Sequence, residues 1–213
     1  MRRDLKLSFL GPQGSGKGTQ AHFMTRDYGY KVFGMGDLLR AVAKQQTSLG
    51  RRIKAILKRG TLVPVSLTVH IIKAAIGRLK PGQGFIIDGF PRSLAQARAL
   101  NKIVKLDAVI IFHINTAESV KRLPLRLTCG RGHIYNLKTK PPKRPGRCDI
   151  DGLKLTSRAD DNPASIRRRL AVYRQKTEPV LKSYQKTHNF IRVNGQQSIA
   201  KVFAELKKSL NSL

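Results

Sequence analysis

The chain has 213 residues, of which 40% are hydrophobic and 25% charged, a balance typical of a folded globular protein and not of a disordered or fibrous one. It carries 42 lysines and arginines against 12 acids, a net charge of +30, which favours polyanionic partners such as nucleotides, nucleic acids or acidic membrane surfaces. No apolar run reaches the roughly 18 to 20 residues of a membrane span, and no signal-peptide pattern opens the chain, so we expect a cytoplasmic protein without a membrane partner.

Short apolar runs alternate with helix-like segments along the chain, and this alternation predicts an α/β domain with a parallel sheet flanked by helices. Residues 124–161 interrupt the alternation with prolines, glycines and short polar–apolar repeats, which indicates a small loop-and-hairpin insert. Asn162-Pro163 then starts a long helix that Pro179 is expected to kink. The predicted strands are 5–10, 84–88, 106–114 and 189–193, and the predicted helices are 17–27, 37–43, 49–60, 66–79, one from 93, 116–123, 162–184 and 197–210.

The segment GPQGSGKGT, residues 11–19, lies between the first predicted strand and the first predicted helix. Its glycines allow the backbone amides to turn around a phosphate, the start of the helix adds its dipole, and Lys17 supplies a positive charge. Gly18 stands where Ser or Thr usually follows the lysine. The alternative is a glycine-rich turn with one surface lysine, and the strand, loop and helix together favour the phosphate-binding loop.

The second strand to end near this loop is predicted at 84–88, and its last residue is Asp88. An acid at this position would hold Mg²⁺ or water opposite the phosphates. An apolar run that ends in Asp is also common at caps and turns, so the interpretation depends on the phosphate loop and on the sequence GFPR that follows.

Four segments together resemble the adenylate kinase family over nearly the whole chain: GPQGSGKGTQ (11–20), GDLLR (36–40), GFIIDGFPRS (84–93) and TSRADDNPASIRRRL (156–170). The resemblance implies the fold of a P-loop nucleoside monophosphate kinase of the long-lid type. Its parallel-sheet core would comprise residues 1–33, 64–123 and 162–213. A helical insert at 34–63 would bind the monophosphate, and a small β-rich lid at 124–161 would close over ATP.

The same resemblance assigns residues to a reaction in which ATP and AMP are reversibly converted to two ADP. ATP would be bound by Gly14, Ser15, Gly16, Lys17, Gly18, Thr19, Arg122 and Arg126. AMP would be bound by Met35, Arg40, Leu62, Val63, Gly89, Arg92, Gln96, Arg158 and Arg167. Positive charge around the transferred phosphoryl group would come from Lys17, Arg92, Arg126, Arg158 and Arg167, with Asp88 near the Mg²⁺ that accompanies ATP. Each arginine taken alone is equally well explained as a solvated surface cation.

The choice of acceptor depends on few residues. Gln96 matches the glutamine with which the family reads adenine, whereas Met35 replaces the usual threonine, so a monophosphate kinase that prefers UMP or CMP remains the nearest alternative. A nucleic-acid-associated protein built on a kinase shell is a more distant alternative, supported by charge alone. We expect a monomer. Asp160 and Asp161 resemble the acids that meet the lid arginines, although they would also suit the start of the following helix.

The two cysteines are too few for a disulfide scaffold, which leaves metal binding or packing as their role. Members of the family often carry four metal ligands in the lid, and three positions match here: Cys129, Cys148 and Asp151. His133 would be the fourth ligand of a possible zinc site. The alternative is a lid tip held by hydrogen bonds and packing, with two free thiols.

Overall fold

A five-stranded parallel sheet forms the centre of the computed structural model, which describes residues 4–213; residues 1–3 of the predicted core segment lie outside the described part. The strand order is β2-β3-β1-β4-β7, and β5 pairs with β6 in a separate antiparallel ribbon. The strands are β1 (Lys6–Leu10), β2 (Lys31–Gly34), β3 (Phe85–Asp88), β4 (Ala108–His113), β5 (Arg126–Thr128), β6 (Ile134–Asn136) and β7 (Phe190–Asn194). The predicted α/β class with a parallel sheet is therefore confirmed.

Helices cover both faces of the sheet. They are α1 (Lys17–Tyr28), α2 (Met35–Ala43), α3 (Ser48–Arg59), α4 (Val65–Ile76), α5 (Leu94–Asn101), α6 (Thr116–Arg122), α7 (Pro163–Val172), α8 (Glu178–Thr187) and α9 (Ile199–Asn211). Successive strand side chains point to opposite faces, so Phe9 and Ile110 join the cluster under α1 and α9, whereas Leu10 and Ile111 join the cluster under α2 to α5 and α8. Burial on both faces fixes the ends of β1, β3 and β4, where the phosphate loop and Asp88 follow. No helix between residues 4 and 213 has the length and apolar character that crossing a membrane requires.

Several helix ends form where capping residues predict them. The side chains of Ser93 and Asn162 accept hydrogen bonds from the amides of Gln96 and Ser165, and Gly60 ends α3 with φ 69°. The predicted start of α2 at Asp37 is wrong, because the chain passes directly from β2 into a helix that begins at Met35. The strand β2 was not predicted, since four residues containing one lysine and one glycine give no clear alternation.

The long helix predicted over 162–184 is divided by a π-helical turn at Tyr173–Thr177. The turn ends two residues before Pro179, whose missing amide and bulky ring disrupt the hydrogen bonds of the preceding turn. The widened backbone brings the Thr177 hydroxyl to the carbonyl oxygen of Arg92, to which it donates at 3.1 Å. The π-helical turn thus anchors, through the Thr177 hydroxyl, the segment that carries Arg92.

Residues 124–161, here called the insert 124–161, form a small unit with its own core. This core contains Cys129, Tyr135, Cys148 and Leu155. The unit lies against α1: the rings of His22 and His133 are 5.5 Å apart, and a Cβ placed on Gly18 would approach the Ile134 side chain to 2.7 Å. A side chain in place of Gly18 would have to displace the end of the Ile134 side chain.

Candidate active site

A cleft of about 490 Å³ opens outside the carboxyl ends of the central strands. Its walls come from the phosphate loop, from α2 and the end of α3, from the insert 124–161, and from α7 with the π-helical turn. In open parallel sheets, ligands bind in this position, and the volume is that of a small-molecule site.

The loop at 11–16 lines one end of the cleft and has the conformation of an anion cradle. Gly11, Gly14 and Gly16 have positive φ angles of 141°, 83° and 91°, and a Cβ on Gly11 would lie 2.4 Å from the Phe112 carbonyl oxygen. No side chain in the described part of the chain caps the start of α1. The first amides of α1 are therefore available to an anion, as phosphate-binding helices require.

Lys17 is folded back over the loop. Its Nζ donates hydrogen bonds to the carbonyl oxygens of Gly11 (2.9 Å) and Pro12 (2.8 Å) and to Ser15 Oγ (3.1 Å). Burial lowers the pKa of Lys17 to about 8, although Asp88 favours the charged form. Burial likewise raises the pKa of the Asp88 carboxyl against the effect of Lys17. The Lys17 ammonium group is thus held at the loop with little water around it to stabilise its charge.

Several arginines surround the centre of the cleft. Besides burial, their positive charges are close enough together to lower the pKa of two of them, Arg158 and Arg92. Burial, followed by the charges of Arg126 and Arg40, lowers the pKa of Arg158 to about 10. Burial also lowers the pKa of Arg92, whose Nε donates to the Gly89 carbonyl oxygen at 2.6 Å. An anion bound between these groups would relieve both the lost hydration and the mutual repulsion.

Two acids at the start of α7 hold part of this cluster in place. Asp161 receives two hydrogen bonds from Arg126, at 2.8 and 2.6 Å, and one from Arg169 at 2.7 Å. Asp160 accepts a further hydrogen bond from Arg169 at 2.9 Å. The side chain of Asp161 is 3% exposed and that of Arg126 is 14% exposed, so this network is shielded from water and fixes the guanidinium orientations.

All residues expected to bind ATP line the cleft: Gly14, Ser15, Gly16, Lys17, Gly18, Thr19, Arg122 and Arg126. Arg122 also braces the surrounding backbone, since its Nη1 donates to the Gly195 carbonyl oxygen at 2.8 Å. Of the residues expected to bind AMP, those that line the cleft are Arg40, Leu62, Gly89, Arg92 and Arg158.

Four expected AMP residues do not line the described cleft. Met35 is 2% exposed and belongs to the main core, as does Val63. Gln96 is 2% exposed; its Oε1 accepts from the Arg92 amide at 2.8 Å, and its Nε2 lies 3.5 Å from the Val63 carbonyl oxygen. In this conformation Gln96 supports the backbone of Arg92 from within the core.

The fourth of these residues, Arg167, requires a correction of its placement. It lies on the exposed side of α7, whereas Arg169 lines the cleft and contacts Asp160 and Asp161. The packing of Ile166 and Leu170 against Leu123 sets the rotation of α7, and this rotation turns Arg169 inward.

The prediction also missed one wall of the cleft, formed by Gly195 and the segment 197–199 after β7. A Cβ on Gly195 would lie 2.7 Å from the Ser15 carbonyl oxygen and 2.9 Å from the Ile114 side chain. The Gln20 Nε2 donates to the Ile199 carbonyl oxygen at 3.0 Å and ties this wall to α1. A glycine two residues after the last predicted strand was the signal that the sequence offered.

The insert 124–161 brings together the four side chains predicted as metal ligands. His133 Nδ1 is 3.3 Å from the sulfur of Cys129, 3.3 Å from the sulfur of Cys148 and 3.0 Å from Asp151 Oδ2. All four ligand atoms lie within 4.8 Å of one another. Ligand atoms of tetrahedral zinc are separated by about 3.3 to 3.8 Å, given bonds of about 2.0 to 2.3 Å. The donor set therefore suits zinc, and both distances from His133 to sulfur match this spacing, while its distance to Asp151 is slightly shorter.

A parallel sheet, a glycine-rich loop leading into a helix and a ring of buried cations define a phosphotransferase of the P-loop class. The family model described as adenylate kinase matches residues 9–189. An adenylate kinase of Thermosipho africanus is 40% identical over 208 residues, covering 95% of this chain and 97% of its own. Those of Bacillus subtilis and Archaeoglobus fulgidus are each 39% identical over 215 residues, covering 98% of this chain and 99% of their own. The chain belongs to the adenylate kinase family, a family of nucleoside monophosphate kinases.

Proposed function

We propose that the protein transfers a phosphoryl group reversibly between ATP and AMP, with two ADP as products. The observation that carries this proposal is the cluster of cations that line the cleft, in which burial and neighbouring positive charges lower the pKa values of Lys17, Arg92 and Arg158. Such a cluster is costly without an anion and is suited to the charge that a transferring phosphoryl group distributes over its oxygens.

The two ends of the cleft suit different parts of the substrates. The phosphate loop and Lys17 would hold the donor phosphates, while Arg40 and Arg92 would hold the acceptor phosphate at the other end. Arg126, Arg158 and Arg169 would surround the transferred group, with Arg169 in place of the expected Arg167. A loose transition state needs positioning and positive charge more than a proton-accepting base, so these groups are sufficient.

Asp88 fits a role near Mg²⁺. Its carboxylate oxygen lies 3.4 Å from where a Cβ on Gly18 would be, which places it beside the phosphate loop. Buried carboxylates of this kind hold the water ligands of Mg²⁺. When bound with ATP, Mg²⁺ would neutralise phosphate charge; Asp88 would orient its waters, and Lys17 would partly balance the charge of Asp88.

AMP is the preferred acceptor in this proposal because the similar proteins named above are adenylate kinases. Leu57, Thr61 and Leu62 line the described cleft and would form a wall for the base, whereas Gln96 and Met35 are buried and do not line it. A coupled assay with ATP and each of AMP, UMP and CMP tests the choice. AMP should have the highest kcat/KM, and a higher value for either pyrimidine monophosphate would contradict the proposal.

The position of Gly195 leads to a prediction for the donor side. In the Gly195→Ala variant, the new methyl group would press on the Ser15 carbonyl oxygen, so the KM for ATP should rise more than the KM for AMP. Overpacking of this kind should also lower the free energy of unfolding by about 1 to 3 kcal/mol. Gly77→Ala is the control, because Gly77 has ordinary helical angles and its nearest contact would be 3.4 Å away. An equal rise of both KM values would contradict a donor-side role.

We further propose that zinc is held by Cys129, His133, Cys148 and Asp151, where it would stabilise the insert 124–161 without taking part in catalysis. Protein purified without chelators should contain one zinc per chain by elemental analysis, and Asp151→Asn should lower both zinc content and melting temperature. Asp149→Asn is the matched control, because this neighbouring acid lies outside the cluster and accepts from the Lys143 amide. Absence of stoichiometric zinc together with two freely reactive thiols would contradict the site.

The predicted divisions of the chain are also part of the proposal. The insert 124–161 would act as the lid over ATP, and residues 34–63 would act as the monophosphate-binding insert, both opening to admit substrates. All side chains proposed here to contact the substrates belong to one chain, and a monomer is part of the proposal. The two cysteines form no disulfide in the described structure, which suits the reducing cytoplasm.

A further inference from the structure

The exposed side of α3 carries mainly basic side chains. Arg51, Arg52, Lys54, Lys58 and Arg59 are all exposed, while Gly50, Ile53 and Ile56 face the core. Leu57, which lines the cleft, also lies on the inner side. The five cations therefore point away from the active site and are not used in the proposed transfer.

The charge on this face is not neutralised by the fold. None of the five cations forms an ion pair with an acid of residues 4–213, and no acid occurs in the sequence between Leu38 and Ile87. Lysines and arginines three or four positions apart on a helix repel one another. The charges of this face therefore form no stabilising ion pair with the rest of residues 4–213, whereas an external polyanion would be attracted to them.

A second helix extends the face. Arg168 of α7 donates from Nη1 to the Arg59 carbonyl oxygen at 2.9 Å, and its neighbour Arg167 is also exposed. This contact joins the outer side of α7 to the end of α3. The combined surface, here called the basic face, consists of Arg51, Arg52, Lys54, Lys58, Arg59, Arg167 and Arg168.

We propose that the basic face binds the phosphate backbone of duplex nucleic acid without reading its sequence. From Arg51 to Arg59 the cations extend over about 12 Å, which is long enough to contact several phosphates. Single-strand binding needs exposed aromatic rings for stacking, and no phenylalanine or tyrosine among the described residues is exposed. Membrane binding needs several large apolar side chains beside the charges, and α3 exposes only one, Leu49 in its first turn, besides the small Ala55.

The test compares two triple variants that lose the same charge. The first is Arg51→Gln/Lys54→Gln/Lys58→Gln, and the control is Lys182→Gln/Lys186→Gln/Lys208→Gln, three exposed lysines on α8 and α9. Fluorescence anisotropy would measure the Kd of each protein for labelled 20-base-pair DNA and RNA duplexes over a range of KCl concentrations. Vesicles rich in phosphatidylserine and a polyglutamate peptide would serve as competing polyanions, and phosphoryl transfer would be assayed in parallel.

The first variant should weaken duplex binding at least about tenfold and reduce the slope of log K against log salt by about 2 to 3, with phosphoryl transfer unchanged. The control variant should retain most of the affinity. Equal weakening in both variants would show that binding reflects net charge alone and would overturn the proposal. Tighter binding to vesicles or polyglutamate, lost in the first variant, would assign the face to a different partner. A fall of kcat/KM for AMP at low salt with intact duplex binding would assign it to substrate steering.

Discussion

Lys17→Met should lower kcat for phosphoryl transfer by about 10²- to 10³-fold, equivalent to about 3 to 4 kcal/mol of transition-state stabilisation. The reason is that Lys17 supplies a poorly hydrated ammonium group at the phosphate loop, with Asp88 close enough to influence its pKa. Methionine keeps the length of the side chain and removes the charge. Steady-state kinetics with both substrates saturating would measure the effect.

Lys31→Met is the matched control for this experiment, because Lys31 is an exposed lysine on the edge strand β2. It should leave kcat within about twofold of the parent, as expected for a surface change. Lys17 also donates to two loop carbonyls, so the melting temperature of each variant should be recorded. A near-parental kcat in well-folded Lys17→Met would contradict the role given to this lysine.

Asp161→Ala should lower the free energy of unfolding by about 3 to 5 kcal/mol, because it leaves two poorly exposed arginines without their shared carboxylate. Arg126 would lose both of its hydrogen bonds to Asp161, and Arg169 would lose one. Urea unfolding followed by circular dichroism would measure the change. Because Arg126 also lines the cleft, kcat should fall in the same variant.

Asp160→Ala is the control for the buried network. Asp160 accepts a hydrogen bond from Arg169 alone and its side chain is 20% exposed, so the loss should be about 1 to 2 kcal/mol. If the two alanine variants are equally stable, the shielded contact between Arg126 and Asp161 does not contribute what the geometry implies.

The features that could be predicted from the sequence are those whose cause is local. The phosphate loop was recognisable because its glycines and Lys17 are adjacent and lie between a strand and a helix. The start of α7 was recognisable because Asn162 and Pro163 form a cap within one turn.

The features that could not be predicted depend on packing between distant segments. Three successive arginines, 167–169, are equivalent in sequence, and only the rotation of α7 shows which one enters the cleft. Gln96 carries the residue type that reads a base, but its burial and its bond to the Arg92 amide appear only in the folded chain. Likewise, Gly195 meets Ser15 across 180 positions of sequence, and no local pattern reports that contact.

The central claim is that the phosphate loop and the buried arginines bind donor and acceptor phosphates together. A crystal structure with two adenosines linked by five phosphates tests it most directly. We expect the phosphate chain to lie in the cleft, with Lys17, Arg92, Arg126, Arg158 and Arg169 within hydrogen-bond distance of its oxygens. A phosphate chain bound elsewhere, or guanidinium groups turned away from it, would contradict the account.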